Sequence, residues 1–237
     1  MHGAGNKFLI HTGNEDPAKL IKNLQGADGL LVLSVDVEAD LYMTVYNADG
    51  NEVQQCGNGL RCAALHALRS KLVPCEEISI RTVAGINMCR VHLDRNEIEV
   101  SIGTPSVGPE QCGVDQGAIA DLPSMQFVCM GNPNAVMWTE QDPVDVRGEY
   151  GKLVCEHAGF AQGINLHVAR LDQENHATVA SWERGVGPTP ASGTGGAAVF
   201  VSTTRRNPFV VSSLGGSLSY HFADDGQVVM TGPAAYV

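Results

Sequence analysis

Cys56-Gly57-Asn58-Gly59 and Ser192-Gly193-Thr194-Gly195 are the two places in this chain where residue types and spacing point to chemistry. Each puts a proton-bearing side chain directly before a Gly-rich start to a run of small and apolar residues at helical spacing. The start of a helix carries unpaired backbone N–H groups and the positive end of the peptide dipoles, a setting that lowers the pKa of a thiol. Cys56 is therefore expected to work as a thiolate. The same N–H groups, at Gly57 and Asn58 or at Gly193 and Thr194, suit a carboxylate, so one helix start could hold an amino acid while Cys56 reaches its α-carbon. The competing reading of Cys56 is a small buried cysteine beside a tight turn. A phosphate cradle at Gly193 to Gly196 fits poorly, because the Lys-Ser/Thr of a P-loop and the spacing of a dinucleotide fingerprint are both missing.

These motifs need elements to position them. Lys7 to His11, Leu30 to Val35 and Leu41 to Tyr46 read as strands, and Asn47-Ala48-Asp49-Gly50 has turn chemistry. The spacing of Leu60, Ala63, Ala64, Ala67 and Leu68 predicts a helix from Gly57 to Ser70. Strands at Glu77 to Thr82, Ile86 to Leu93 and Glu97 to Ile102 complete a first lobe of strands packed around one helix. The Gly-, Pro- and Gln-rich stretch from Gly103 to Gly117 reads as a linker that permits a hinge. Beyond it, strands are expected at Met125 to Met130, Ala135 to Trp138, Asn165 to Ala169 and Thr178 to Trp182, with a helix near Val144 to His157. A second small-residue helix runs from Gly193 to Thr204. Strands at Phe209 to Ser213, Ser217 to Phe222 and Val228 to Thr231 follow, the last two joined by a turn at Asp224-Asp225-Gly226. The Cys56 and Ser192 segments echo each other, as in a duplicated unit.

The 237 residues suit two lobes of roughly 100 to 120 residues each. Hydrophobic residues at 43% and charged residues at 17% are ordinary for a folded globular chain. With 26 acidic against 15 basic residues, a net charge of −11 and Arg205-Arg206 as the longest basic cluster, nucleic acid is not an expected partner. No apolar run approaches the roughly 18 residues that a membrane helix needs. Met1-His2-Gly3-Ala4-Gly5-Asn6 lacks the basic start and apolar core of a signal peptide. An odd number of cysteines, seven, without zinc-ligand spacing argues for a reducing compartment and against a metal site. Cys62, inside the first helix, and Cys75, Cys89, Cys112, Cys129 and Cys155 read as core or surface cysteines.

Asn47-Ala48-Asp49-Gly50 followed by Gln55-Cys56-Gly57-Asn58-Gly59 closely resembles one signature of diaminopimelate epimerase. Glu183-Arg184-Gly185-Val186-Gly187, followed by Thr189 and Ala191-Ser192-Gly193-Thr194-Gly195, resembles the other. The likeness extends to Met1 to Asn6, Gly26 to Leu30, Thr82 to Gly85, Met130 to Pro133, Ile164-Asn165 and Met230 to Ala234, in the same order. The resemblance implies an α+β fold of two pseudo-symmetric lobes, 1–104 and 105–237, with the last few residues packing back on the first. Each lobe would be a mostly antiparallel sheet wrapped around a central helix, with the active site in the cleft between them. It also implies a cytoplasmic, cofactor-independent, metal-free isomerase that interconverts LL- and meso-diaminopimelate in lysine and cell-wall biosynthesis. Its partner would be a small amino-acid substrate, with no nucleic acid and no membrane, and a homodimer as the one protein assembly admitted. By likeness Cys56 is one catalytic base and Glu183 stands near the reacting centre. Asn6, Asn47, Asn132, Asn165 and Arg184 would bind the substrate, beside the helix starts at Gly57, Asn58, Gly193 and Thr194.

The chain departs from the family's pattern at several positions. Ser192 stands where the family has its second cysteine, and a hydroxyl, being a far weaker acid than a thiol, needs a neighbouring base or donor such as water or Glu183. Asn134 stands where the family has a histidine after Asn-Pro. His157 matches a different family histidine but is followed by Ala158 rather than proline, and Pro188 replaces an acidic residue. By the same comparison an initial strand and a short tail are expected to be missing. Three readings stay open: a working epimerase, a relative doing α-proton chemistry on another amino acid, and a non-catalytic amino-acid-binding protein.

Overall fold

The computed structural model describes residues 1–13, 15–53, 56–203 and 208–237. Gln55, the expected helix end at Thr204, and the Arg205-Arg206 pair lie outside the described residues. The chain divides into two compact units, Met1–Ser101 with Thr231–Val237, and Ile102–Met230.

The first unit runs β1 (His2–Gly3), β2 (Asn6–His11), α1 (Pro17–Ile21), β3 (Gly29–Val35), β4 (Leu41–Asn47), β5 (Glu52–Val53), α2 (Gly57–Arg69), β6 (Glu77–Thr82), β7 (Gly85–His92) and β8 (Glu97–Ser101). β2 and β3 pair in parallel, as do β4 and β6. The pairs β1–β2, β3–β4, β4–β5, β6–β7 and β7–β8 are antiparallel. The apolar positions of α2 have a physical destination: Leu60, Ala63, Ala64 and Ala67 are fully buried against the strands. At the chain's end Ala235 exchanges both backbone hydrogen bonds with His2, and Tyr236 Oη lies 3.1 Å from His66 Nδ1 on α2.

The second unit contains β9 (Ser106–Val107), a 3-10 turn at Glu110–Cys112, β10 (Gln126–Cys129), β11 (Pro133–Trp138), α3 (Pro143–Cys155), β12 (Asn165–Gln173), β13 (His176–Glu183), β14 (Gly187–Thr189), α4 (Gly193–Val201), β15 (Phe209–Ser213) and β16 (Gly216–Phe222), and β17 (Val228–Gly232) starts in it and ends in the first unit's share of the chain. Its pairings repeat those of the first unit in order and sense. β10–β11 is antiparallel, β11–β12 parallel, β12–β13 and β13–β14 antiparallel, β13–β15 parallel and β15–β16 antiparallel. A helix follows the second strand of each repeat, and a buried helix follows the short fifth strand. The echo between the Cys56 and Ser192 segments thus extends to the topology that carries them. With these mixed sheets and few helices the fold is α+β.

From Asn165 to Ala169 β12 is buried on both faces. Leu166 and Val168 join Val146 and Val154 of α3 in an apolar cluster with Phe127 and Phe160. The alternate positions Asn165 and His167 therefore face the opposite side, where α4 packs. A Cβ on Gly195 would collide with the His167 ring and one on Gly196 with Tyr220, so α4 seats this closely only because both residues are glycine.

The stretch read as a linker from Gly103 to Gly117 is structured instead. β9 pairs with β10, and Cys112 is buried in the apolar cluster of the second unit. A two-residue strand and one 3-10 turn are too short to show periodicity. α1 is an element without an apolar stripe, because it buries no residue; Asp16 caps it by accepting from Ala18 N–H at 3.0 Å, with Pro17 following. α3 begins at Pro143 and ends at Cys155 rather than spanning Val144 to His157. There Asp142 accepts from Val144 N–H at 2.8 Å, and Pro143 fits a first turn that needs no N–H of its own. β12 and β13 outrun their expected ends because ladder pairing continues through polar Arg170, Asp172 and Gln173, where alternation of hydrophobicity has stopped.

Candidate active site

In the first unit Cys56 is the N-cap of α2, and its Sγ accepts from Gly59 N–H at 3.4 Å. The Asn6 amide is oriented from behind. Its Nδ2 donates to Asp28 Oδ2 at 3.1 Å, an oxygen that also accepts from Lys7 N–H at 2.7 Å. Asn6 Oδ1 is thereby turned toward Cys56 Sγ, 4.0 Å away. Asn58 is buried, and its Oδ1 accepts from Nη2 of the fully buried Arg61 at 2.9 Å. Its side chain is committed inward, which leaves backbone N–H as its contribution to an anion at the helix start. Arg61 Nε also donates to Pro233 O at 3.3 Å, tying the chain's tail to the same helix. Asn47 is exposed at the end of β4, where its N–H closes the turn onto Asn51 O at 2.9 Å. Burial pushes the Cys62 thiol up to about 12, which keeps it protonated and fits its place in the core.

In the second unit Ser192 is the N-cap of α4, and its Oγ accepts from Gly195 N–H at 3.2 Å. Glu183 ends β13, half-buried, and its carboxyl faces the Ser192 hydroxyl. Burial raises the Glu183 pKa above the ordinary carboxylate value, while the Ser192 and Thr189 hydroxyls hold part of that rise back. Thr189 Oγ1 is buried beside the carboxyl. A carboxyl whose pKa burial has raised holds its proton more readily than an exposed one, and the hydroxyl beside it sits in the favourable field of a helix start. Gly193 and Thr194 follow as the first residues of α4.

Asn132 Nδ2 donates to Thr194 Oγ1 at 3.3 Å, joining the loop before β11 to the first turn of α4. Asn165 Oδ1 accepts from Arg184 N–H at 3.1 Å. The Arg184 guanidinium bonds the Gln162 carbonyl and is exposed. Asn132, Asn165, Glu183, Arg184, Ser192, Gly193 and Thr194 are therefore linked within the second unit. His157 is not linked to them among the described residues; it caps the end of α3, where Nδ1 accepts from Gly159 N–H at 3.1 Å and Nε2 lies 3.6 Å from Asp121.

Three buried polar residues stand behind this group: Asn134, already marked as a departure from the family's pattern, and His167 and Ser181, which the sequence reading does not single out. Asn134 Oδ1 accepts from Asn165 Nδ2 at 3.2 Å and lies 3.0 Å from His167 Nε2, whose Nδ1 lies 2.9 Å from Ser181 Oγ. Thus the position where a family histidine was expected holds an amide, and an imidazole reaches that amide from the neighbouring strand. The available signal was the pair Asn165 and His167, two polar residues two apart on a strand whose other positions are apolar.

A family model described as diaminopimelate epimerase matches residues 19–108 and 126–237. The chain belongs to the diaminopimelate epimerase family. It is 37% identical to the diaminopimelate epimerase of Desulforudis audaxviator, over 100% of this chain and 95% of that protein. It is 32% identical to that of Agathobacter rectalis, again over 100% of this chain and 95% of the relative. In fold it is similar to a phenazine biosynthesis protein of the PhzF family from Bacillus anthracis, with a TM-score of 0.71 and 16% identity over 100% of this chain and 93% of the other. A hydroxyproline epimerase from Agrobacterium vitis gives a TM-score of 0.64 and 13% identity over 100% and 89% of the two chains. As a member of the diaminopimelate epimerase family, the protein is an isomerase of the amino-acid epimerase class. Among the described residues no helix is long and apolar enough to cross a membrane, and no group of three or more His, Cys, Asp or Glu is placed to hold a metal ion.

Proposed function

We propose that this protein interconverts LL- and meso-diaminopimelate by α-proton transfer, with Cys56 and the Ser192–Glu183 pair as the two proton-handling groups. The observation that carries the reading is the Glu183 carboxyl facing the Ser192 hydroxyl at the head of α4. A serine alone neither ionises nor donates readily near neutral pH. Beside a protonated carboxyl it becomes a relay: Ser192 gives its proton to the carbanion and takes one from Glu183. For turnover from the other isomer Glu183 starts ionised, accepts the Ser192 proton as Ser192 takes the α-proton, and Cys56 delivers a proton from its thiol. Each passage thus starts with one group protonated and ends with the other protonated, so charge and proton count balance. Asn6, Asn47, Asn132, Asn165 and Arg184 are the proposed binding set, with backbone N–H groups at Gly57, Asn58, Gly193 and Thr194 for carboxylate oxygens. On this reading the reaction serves lysine and cell-wall biosynthesis in the cytoplasm without a cofactor.

The test is α-deuterium uptake and stereochemistry in deuterated buffer, with LL- and meso-diaminopimelate supplied separately and Cys56→Ala alongside. Interconversion of both isomers, lost in Cys56→Ala, supports the reading. No exchange with either isomer sinks it. The departures at Ser192 and Asn134 favour one other reading, α-proton chemistry on a different amino acid, for which deuterium would enter that amino acid and neither diaminopimelate isomer.

A further inference from the structure

We propose that His167 is a positioning residue for the second half of the site, an uncharged imidazole whose Nε2–H fixes the amides of Asn134, Asn132 and Asn165 and whose ring supports the first turn of α4. Its role rests on the Ser192 reaction assigned above, but the geometry can be worked out independently.

Asn134 is the centre of this arrangement. Its Nδ2 lies 3.2 Å from Val128 O, 2.8 Å from Asn132 O and 3.1 Å from Asn132 Oδ1. Backbone carbonyls only accept, so that end of the amide must be the nitrogen. The oxygen is then turned toward Asn165 Nδ2 and His167 Nε2. An amide oxygen also only accepts, so His167 must carry its proton on Nε2. Nδ1 is left as the acceptor for the Ser181 hydroxyl, which stands directly across the β12–β13 pairing. Every polar atom of the imidazole is thereby used by a neutral partner. Full burial pushes its pKa down to about 3, so the ring stays neutral.

The clamp reaches outward by two routes. Through Asn134 it sets Asn132, whose Oδ1 accepts from Asn134 and whose Nδ2 is consequently the group that meets Thr194 Oγ1. It also sets Asn165, whose Nδ2 is held by Asn134 and whose Oδ1 takes the Arg184 N–H. The second route is steric. The ring lies where a Cβ on Gly195 would be, under the N–H that Ser192 Oγ accepts. An apolar residue at 167 would fill the space but leave Asn134 Oδ1 with one donor fewer and its amide free to turn, and misplacement of this kind costs rate disproportionately.

Two measurements test this. In long-range 1H–15N spectra of histidine-labelled protein at neutral pH, the signal lost in His167→Gln should report the Nε2–H tautomer; an Nδ1–H tautomer or an imidazolium overturns the proposal. In the deuterium-exchange assay, His167→Leu should raise KM and slow exchange by about tenfold or more, while His167→Gln, which keeps a donor toward Asn134, stays within about threefold of the parent. Val168→Ala, on the opposite face of β12, is the control for destabilisation alone. If His167→Leu behaves like Val168→Ala, or His167→Gln fails as badly as His167→Leu, the positioning role is wrong. If the parent protein exchanges nothing, the assigned reaction fails, and the tautomer alone upholds or overturns the clamp.

Discussion

Cys56 Sγ and Ser192 Oγ accept the same hydrogen bond, each from the N–H three residues on, Gly59 at 3.4 Å and Gly195 at 3.2 Å. Their backbones agree as well, with φ −144 and ψ 105 at Cys56 against φ −132 and ψ 119 at Ser192. What differs is the group facing each side chain. The sulfur, itself a competent acid and base, faces the Asn6 amide. The oxygen, which is neither near neutral pH, faces the Glu183 carboxyl. Equal local geometry with unequal chemistry is thus balanced by the neighbour.

Ser192→Ala removes both the relay and the N-cap. Exchange that depends on this group should fall by at least about 100-fold. Stability should drop by about 1 kcal/mol through the lost cap. Deuterium uptake and urea unfolding read the two losses separately. Ser192→Cys should recover most of the exchange, because a thiol needs less help from Glu183.

Glu183→Gln should remove one limb of the pH–rate profile. The sign on stability follows from the raised pKa: the folded state holds this proton more tightly than the unfolded chain. Stability linked to Glu183 is therefore full below the ordinary value of 4.5 and declines as pH rises through the folded value. Relative to the parent, Glu183→Gln should melt higher at alkaline pH and lose that advantage in acid. Melting curves that stay parallel across this range contradict the assignment.

For His167 the sign is the opposite, since its folded pKa of about 3 lies below the ordinary 6.5. The unfolded chain gains a proton first as pH falls below 6.5, so stability is lost between 6.5 and about 3, by at most about 1.4 kcal/mol per pH unit. Its hydrogen-bond partners, Asn134 and Ser181, are neutral and do not offset the cost. Urea midpoints of His167→Gln should vary less with pH over this window than those of the parent.

Gly195→Ala puts a methyl group into the His167 ring. Overpacking of this kind costs about 1 to 3 kcal/mol. Because Gly195 N–H also serves Ser192 Oγ, exchange should fall together with stability. Gly148→Ala, where a Cβ would meet nothing on α3, is the comparison and should be neutral or slightly stabilising.

The parts of the fold legible in the sequence are those with a strong local signature. The apolar run Leu60, Ala63, Ala64 and Ala67 announces α2, and alternation announces β6 and β7 in nearly their observed extents. β9 and the 3-10 turn at Glu110–Cys112 are too short to repeat anything, so the segment read as a linker. The site divides in the same way. Cys56 and Ser192 declare themselves through the glycines behind them, whereas Asn134, His167 and Ser181 come from separate strands whose register alone makes them neighbours.

By itself the sequence determined the family, the α+β composition and the two residues that lead α2 and α4, because these depend on residue type, order and local spacing. Tertiary structure decided which partner each received. Asp28 turns the Asn6 oxygen to Cys56, and the return of β13 sets Glu183 beside Ser192. It also decided that His167 is a neutral donor, since a tautomer depends on which atoms face the ring, and burial on its charge. Those relations join residues far apart along the chain, and no local pattern encodes the distances between them.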